Sequence, residues 1–166
     1  MSTHDAVRSH ARERHDRRIE EVVHDAYRER YRPPEPAVCP TCGVVYQHGA
    51  FHWSPRPADA QEHACPACRR IADDYPAGFL TLEGEFFRAH RDEIMGLVNN
   101  EAARARAEHP LERILGIEEQ EGQVVIRTTD LHLPRRIGDA LHRAWRGESA
   151  TKYAPDEYLV RVHWRR

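Results

Sequence analysis

The sequence predicts an α+β fold: a cysteine-paired ribbon followed by a small module with the element order α-β-β-α-β. Three observations carry this. Two C-x-x-C pairs, Cys39/Cys42 and Cys65/Cys68, sit in a turn-rich stretch. Residues 85–108 place apolar side chains at three- and four-residue spacing, as one buried helix face requires. Beyond Pro110 the patterns change between alternation and helical periodicity, as strands and a helix in sequence would.

Composition sets the limits. The chain has 166 residues, with 25 Lys+Arg against 27 Asp+Glu and a formal charge of −2. Leu, Ile, Val and Phe number 31 of 166, a level that accompanies disorder when net charge is also high. With charge near zero, the consequence is a thin core that needs a staple. No run approaches the roughly 18 apolar residues of a membrane-spanning helix, so no membrane partner is expected. Residues 1–34 are charged throughout and hold no apolar signal region, so a cytoplasmic setting is expected.

In chain order, residues 1–34 read as a mobile arm with one short helix. Ile19, Val22, Val23, Ala26 and Tyr27 share a face, and Pro33, Pro34 and Pro36 end it. Residues 32–38 read as a stiff linker. The ribbon is expected over 35–84, with short β pieces at Val44–Tyr46 and Gly78–Leu82. The α+β module is expected over 85–166. Its first helix runs from Glu85 to Glu108, with Phe87, His90, Ile94, Leu97, Val98 and Ala102 inward. Strands follow over Leu111–Glu118 and Gln123–Thr129, joined by a polar connector that contains Gly122. Asp130 can cap a second helix over 131–146, with Pro134 tolerated in its first turn and Gly147 at its end. Leu133, Ile137, Ala140, Leu141 and Ala144 form its apolar face. A loop through Lys152 and Pro155 leads to a last strand, Tyr158–Arg165.

The cysteines carry the clearest chemistry. Cys39, Cys42, Cys65 and Cys68 are the only four, and 22 residues separate the pairs. In each C-x-x-C turn two thiolates converge on one ion, and backbone N–H groups donate to the sulfurs. Four thiolates close a tetrahedral Zn²⁺ site and leave no open position for catalysis. Two disulfides would need an oxidising compartment, and C-x-x-C redox catalysis normally uses one pair beside a βαβ unit. An iron–sulfur cluster also takes four cysteines. Spacing favours structural zinc, which answers the thin core by contributing folding free energy on the order of 10 kcal/mol. His48, His52 and His63 lie between the pairs and would serve only in place of a cysteine.

Charge is uneven. Residues 81–122 hold 5 bases and 10 acids, whereas 123–166 hold 9 bases and 5 acids. On the second helix Arg135, Arg136, Arg143 and Arg146 lie off the apolar face. On the last strand Arg161, His163 and Arg165 alternate with Val160, Val162 and Trp164. Arg127 on the preceding strand joins the polar side, and Tyr158 assists. Basic side chains beside His and aromatic groups on a small sheet suit RNA phosphates and unstacked bases. Asp73–Asp74, Glu83–Glu85 and Glu108–His109 can be drawn as acid/base pairs, but no sequence feature directs them to a shared pocket. Thr128–Thr129–Asp130 lacks the glycine-rich cradle of a phosphate loop.

Several runs carry a resemblance. They are Glu35-Pro36, Cys39-Pro-Thr-Cys42-Gly43-Val-Val-Tyr46, Cys65-Pro-Ala-Cys68-Arg-Arg-Ile71, Tyr75-Pro-Ala-Gly78, Glu108-His-Pro-Leu-Glu-Arg-Ile114 and Thr128-Thr-Asp130-Leu-His-Leu133. Over about residues 35–166 the chain resembles a group of short bacterial zinc-ribbon proteins that look related to the nonsense-mediated-decay protein three family. The resemblance implies a zinc module joined to a small α+β module, with ribosomes or ribosomal RNA as partner. The expected protein is therefore a non-catalytic, ribosome-associated, zinc- and RNA-binding one. A protein–protein adaptor using the acidic helix, or a metal-dependent enzyme, stands as the alternative.

Overall fold

The computed structural model describes residues 24–166, and the arm expected over 1–34, with Ile19, Val22 and Val23, lies mostly outside them. The chain opens on a single helical turn, α1 (Ala26–Glu29), capped by Asp25, whose carboxylate accepts from the Tyr27 N–H at 3.0 Å. The expected proline linker ends in β1 (Ala37–Val38). Then come β2 (Val45–Gln47), β3 (Ala50–His52), β4 (Gln61–Glu62) and α2 (Pro66–Ala72). The four short strands form one sheet in the order β3-β2-β1-β4.

The second sheet starts with β5 (Gly78–Glu83), followed by α3 (Glu85–Ala89) and α4 (Arg91–Glu108). The hairpin of β6 (Ile114–Gln120) and β7 (Gln123–Thr128) is next, turning at Glu121–Gly122 with Gly122 at φ +74°. Last come α5 (His132–Trp145), β8 (Glu148–Tyr153) and β9 (Val160–Arg165). The strand order is β6-β7-β5-β9-β8, with only β5 and β9 parallel. The α+β class stands as expected.

Four details correct the sequence reading. The module boundary falls before Gly78 rather than after Gly84. β5 has an alternating apolar pattern that only becomes meaningful as the central strand, hydrogen-bonded to β7 and β9. The first helix breaks at His90, which leaves helical geometry at φ −117°, ψ 24°, while its ring lies 4.2 Å from the Phe86 ring. The loop expected at Lys152 is the edge strand β8. Every residue of β8 is exposed, so no buried alternation marks it. Ala144 is exposed rather than inward.

The core lies between one face of this sheet and the helices. Leu80, Leu82, Val124, Ile126, Val160, Val162 and Trp164 project from the strands. Phe87, Ile94, Val98 and Ala105 meet them from α3 and α4, and Leu133, Ile137 and Leu141 from α5. Trp164, fully buried, donates its indole N–H to the Arg146 carbonyl at 2.7 Å and ties β9 to the end of α5. The ribbon core is far smaller: Cys39, Val44, Cys65, Ala67 and Cys68. Beside it Tyr31, Ala37, Val38 and Val45 are also buried, and Tyr31 packs on Tyr46, Phe51 and His63, so hydrocarbon burial here is modest beside that of the second module. Among the described residues no helix is long and apolar enough to cross a membrane.

Candidate metal centre and candidate nucleic-acid face

The two C-x-x-C turns are placed by the ribbon sheet. Cys39 follows β1, donates its N–H to Val44 O at 2.9 Å and accepts from Gly43 N at 2.8 Å. Gly43 has φ +79°, and a Cβ there would meet nothing within 4 Å. Its requirement for glycine is therefore one of backbone geometry, not space. Gly43→Ala is expected to lower the melting temperature of the metal-loaded protein by the equivalent of about 1 kcal/mol while metal content stays unchanged. Beside this turn, β4 runs parallel to β1, and His63 N donates to Val38 O at 2.9 Å. That pairing delivers Cys65 to the start of α2. Cys65 is the N-cap, and its sulfur accepts from Cys68 N at 3.4 Å.

The four Sγ atoms lie within 4.8 Å of one another, and no disulfide joins them. Cys42 Sγ and Cys65 Sγ are 3.8 Å apart. A tetrahedral site with metal–sulfur bonds of roughly 2.3 Å separates its sulfurs by about 3.8 Å. The geometry thus fits a metal ion held by four thiolates. Cys39, Cys65 and Cys68 are buried and Cys42 is half-buried. The intervening histidines take no part. His48 sits at φ +55° in an exposed turn, His52 is exposed, and the His63 ring packs edge-on against Tyr31 at 4.9 Å.

A residue that sequence reasoning missed completes the centre. Arg113, at the entry to β6, is only 6% exposed. Its guanidinium donates to Cys68 Sγ at 3.2 Å and to Cys42 Sγ at 3.1 Å, and its Nε donates to Pro110 O at 2.8 Å. One rigid fork therefore bridges sulfurs of both pairs. The backbone behind it is held in both directions, Arg113 N to Thr129 Oγ1 at 3.0 Å and Thr129 N to Arg113 O at 2.9 Å. Trp53 covers the joint: its indole N–H donates to Arg106 O at 2.6 Å and its ring lies 5.7 Å from the Arg113 guanidinium. Without metal, the bond from Cys65, with Val44 N–H and Arg113, pulls the Cys42 thiol down to about 4. The same bond and burial push Cys65 up. No local signal distinguishes Arg113 in the sequence, because its partners are 45 and 71 residues away.

The basic residues fall on two surfaces. Val160, Val162 and Trp164 face α5, so Arg161, His163 and Arg165 point to the opposite face of the sheet. The helical arginines therefore lie on the other side of the molecule from the strand residues. Arg135, Arg143 and Arg146 are exposed there. Arg136 is engaged by Glu101 at 3.1 Å and Glu108 at 3.1 Å. On the open face, strand register assembles a row that was only partly foreseen: Gly116, Arg127, Phe79, Arg161 and Lys152 lie side by side across all five strands. The Arg161 guanidinium lies 4.5 Å over the Phe79 ring. Arg127 is bound by Asp74 at 2.5 Å and Glu118 at 3.0 Å. Two rows further, Glu83, Arg165 and Glu148 alternate in sign, and His163 pairs with Glu83 at 3.1 Å.

The acid/base pairs drawn on sequence resolve into other contacts. Asp73 accepts from the Tyr27 hydroxyl at 2.8 Å, and Asp74, Glu83 and Glu108 take the ion pairs just described. Asp130 caps α5 as expected, its Oδ2 accepting from His132 N at 2.7 Å and Leu133 N at 3.2 Å. Compared with known proteins, the chain matches no family model, no curated protein and no solved structure.

Proposed function

We propose that this protein is a non-catalytic zinc-binding protein that binds structured RNA on the open face of its five-stranded sheet. The carrying observation is the row Arg127–Phe79–Arg161–Lys152 on the sheet face opposite α5, where α1 lines a cavity with Phe79 and Arg161. Among the described residues, neither Arg161 nor Lys152 has a carboxylate within 4.0 Å, so both charges are available to phosphates. A guanidinium lying on an aromatic ring offers a planar cation on which an unstacked base can stack. Zinc is the ion of choice for four thiolates at tetrahedral spacing, and free thiols suit a reducing compartment. The sequence resemblance supports ribosomal RNA as the target. Docking through the acidic helix is the weaker reading, because Glu101 and Glu108 of α4 are already paired with Arg136.

Fluorescence anisotropy with a labelled structured ribosomal RNA fragment tests this. Arg161→Ala and Phe79→Ala are each expected to weaken binding by about tenfold or more, since a base stack contributes about 1–3 kcal/mol. Arg161→Ala should also lower the salt dependence by about one released counterion. The pair Arg143→Ala with Arg146→Ala, on the far surface, should change little. Affinity that survives both open-face substitutions, or that collapses only with the helix pair, refutes the reading.

A further inference from the structure

The strand β8 is the outermost of the second sheet, and every one of its residues is exposed. Among the described residues no strand pairs with its outer side. Such an edge presents unpaired N–H and C=O groups, and folded chains normally guard it with bulges or repelling charge. The opposite edge, β6, is guarded: its register shifts between Ile114 and Gly116, and it carries Glu118 and Glu119 with no base. β8 has no register shift and no proline, and it carries one charge of each sign, Glu148 and Lys152.

Hydrogen bonding within the sheet decides which backbone groups of β8 face outward. Lys152 lies opposite Arg161, Ala150 opposite His163 and Glu148 opposite Arg165. Just past the strand, Ala154 N donates to Leu159 O at 3.0 Å, while Val160 N turns away from β8 to Ala77 O at 2.9 Å. Bonded and non-bonded positions alternate along an antiparallel pair. Ala154, Lys152, Ala150 and Glu148 therefore direct their backbone groups to β9. Ser149, Thr151 and Tyr153 direct theirs outward, to no described partner strand.

We infer that β8 pairs antiparallel with β8 of a second copy of this chain, across a twofold axis at Ala150. Any such pairing must set outward-pointing residues opposite one another. With the axis at Ala150, Ser149 of each copy exchanges both backbone bonds with Thr151 of the other. The same register places Glu148 opposite Lys152 of the second copy, and does so on both sides of the axis. These are the closer, non-hydrogen-bonded positions, where opposite charges stabilise a pair. Ala150 meets itself there, and its small side chain permits the approach. Centring on Ser149 or Thr151 instead sets Ala150 against a lone charge. A patch complementary to itself is what a twofold dimer requires. Both open faces then lie on one side of a continuous sheet. Lys152 gains a carboxylate neighbour, while Phe79 and Arg161 stay two strands and one strand away from the joint.

Sedimentation equilibrium of the full-length, metal-loaded protein, freed of nucleic acid, tests this without reference to RNA binding. A single strand pair falls below the standard interface of roughly 1,600 Å², so a dissociation constant on the order of 100 µM is expected. Thr151→Pro removes an outward N–H that β9 does not use. It should abolish the dimer while the melting temperature stays close to that of the unmutated protein. Glu148→Lys and Lys152→Glu each set like charges opposite one another and should weaken the dimer by about tenfold or more. Combining the two restores opposite signs and should recover most of the affinity, a rescue that mere damage to β8 would not show. Three outcomes overturn the inference: the protein stays monomeric at ten times the expected dissociation constant; a dimer forms that Thr151→Pro leaves unchanged; or the combined charge exchange weakens the dimer as much as either single one.

Discussion

Replacing Cys65 by serine is expected to release the metal and unfold the ribbon while leaving the second module folded. Cys65 is fully buried, and its sulfur is 3.8 Å from Cys42 Sγ. A serine hydroxyl is a poor ligand for a thiophilic ion, so three thiolates remain for a four-coordinate site. The substitution is discriminating because Cys65 is also the N-cap of α2, and serine is among the best N-cap residues. Loss of structure then reports the metal rather than the helix start. Around the cysteines the ribbon core holds only Val44 and Ala67, with a second small group of Tyr31, Ala37, Val38 and Val45 buried beside it. Metal binding in small sites of this kind contributes on the order of 10 kcal/mol, far more than such a core replaces. Elemental analysis should fall from one metal per chain to none. Amide exchange should lose protection over 37–72 and keep it in β5, β7 and β9. A Cys65→Ser protein that is metal-free and still protected across the ribbon would sink the claim, and chelation of the unmutated protein should reproduce the variant.

Arg113→Ala is expected to weaken metal binding by about 10- to 100-fold, the usual cost of losing an outer partner of a metal ligand. It should also destabilise the whole chain by about 3–5 kcal/mol, as removal of one member of a buried charged pair does. The guanidinium is the one cation that reaches both cysteine pairs among the described residues, at 3.1 and 3.2 Å, and it is anchored in the other module. Removing it leaves thiolate charge uncompensated and frees the ribbon from β6. Arg113→Lys keeps a positive charge but cannot span two sulfurs with one planar fork, so it should fall between the two proteins. Competition against a chromogenic chelator measures the affinity, and thermal melting measures the joint. Equal affinity and equal melting temperature in Arg113→Ala would show that the contact is incidental.

How much of this was legible before the structure follows from the range of each interaction. The C-x-x-C turns are local, and their spacing alone announced a tetrathiolate site. The Asp130 cap, the Gly122 turn and the β7 and β9 alternation are equally local, and all appear close to the expected positions. β5 was read as a strand but assigned to the wrong module, because a strand's sequence does not name its neighbours. β8 was missed because an exposed edge strand has no buried face to impose a period.

The sequence by itself determined which four cysteines could hold a metal, the class of fold and most of the buried faces of α4 and α5, since chemistry at fixed spacing and apolar periodicity need no partner to be read. Tertiary structure alone decided the rest. Register across five strands set Phe79 between Arg127 and Arg161, and the helix layer sent Arg135, Arg143 and Arg146 to the opposite surface. The chain path through Pro110 carried Arg113 to the sulfurs. Each of these joins residues tens of positions apart, and their proximity depends on how the sheet closes rather than on any local preference of the chain.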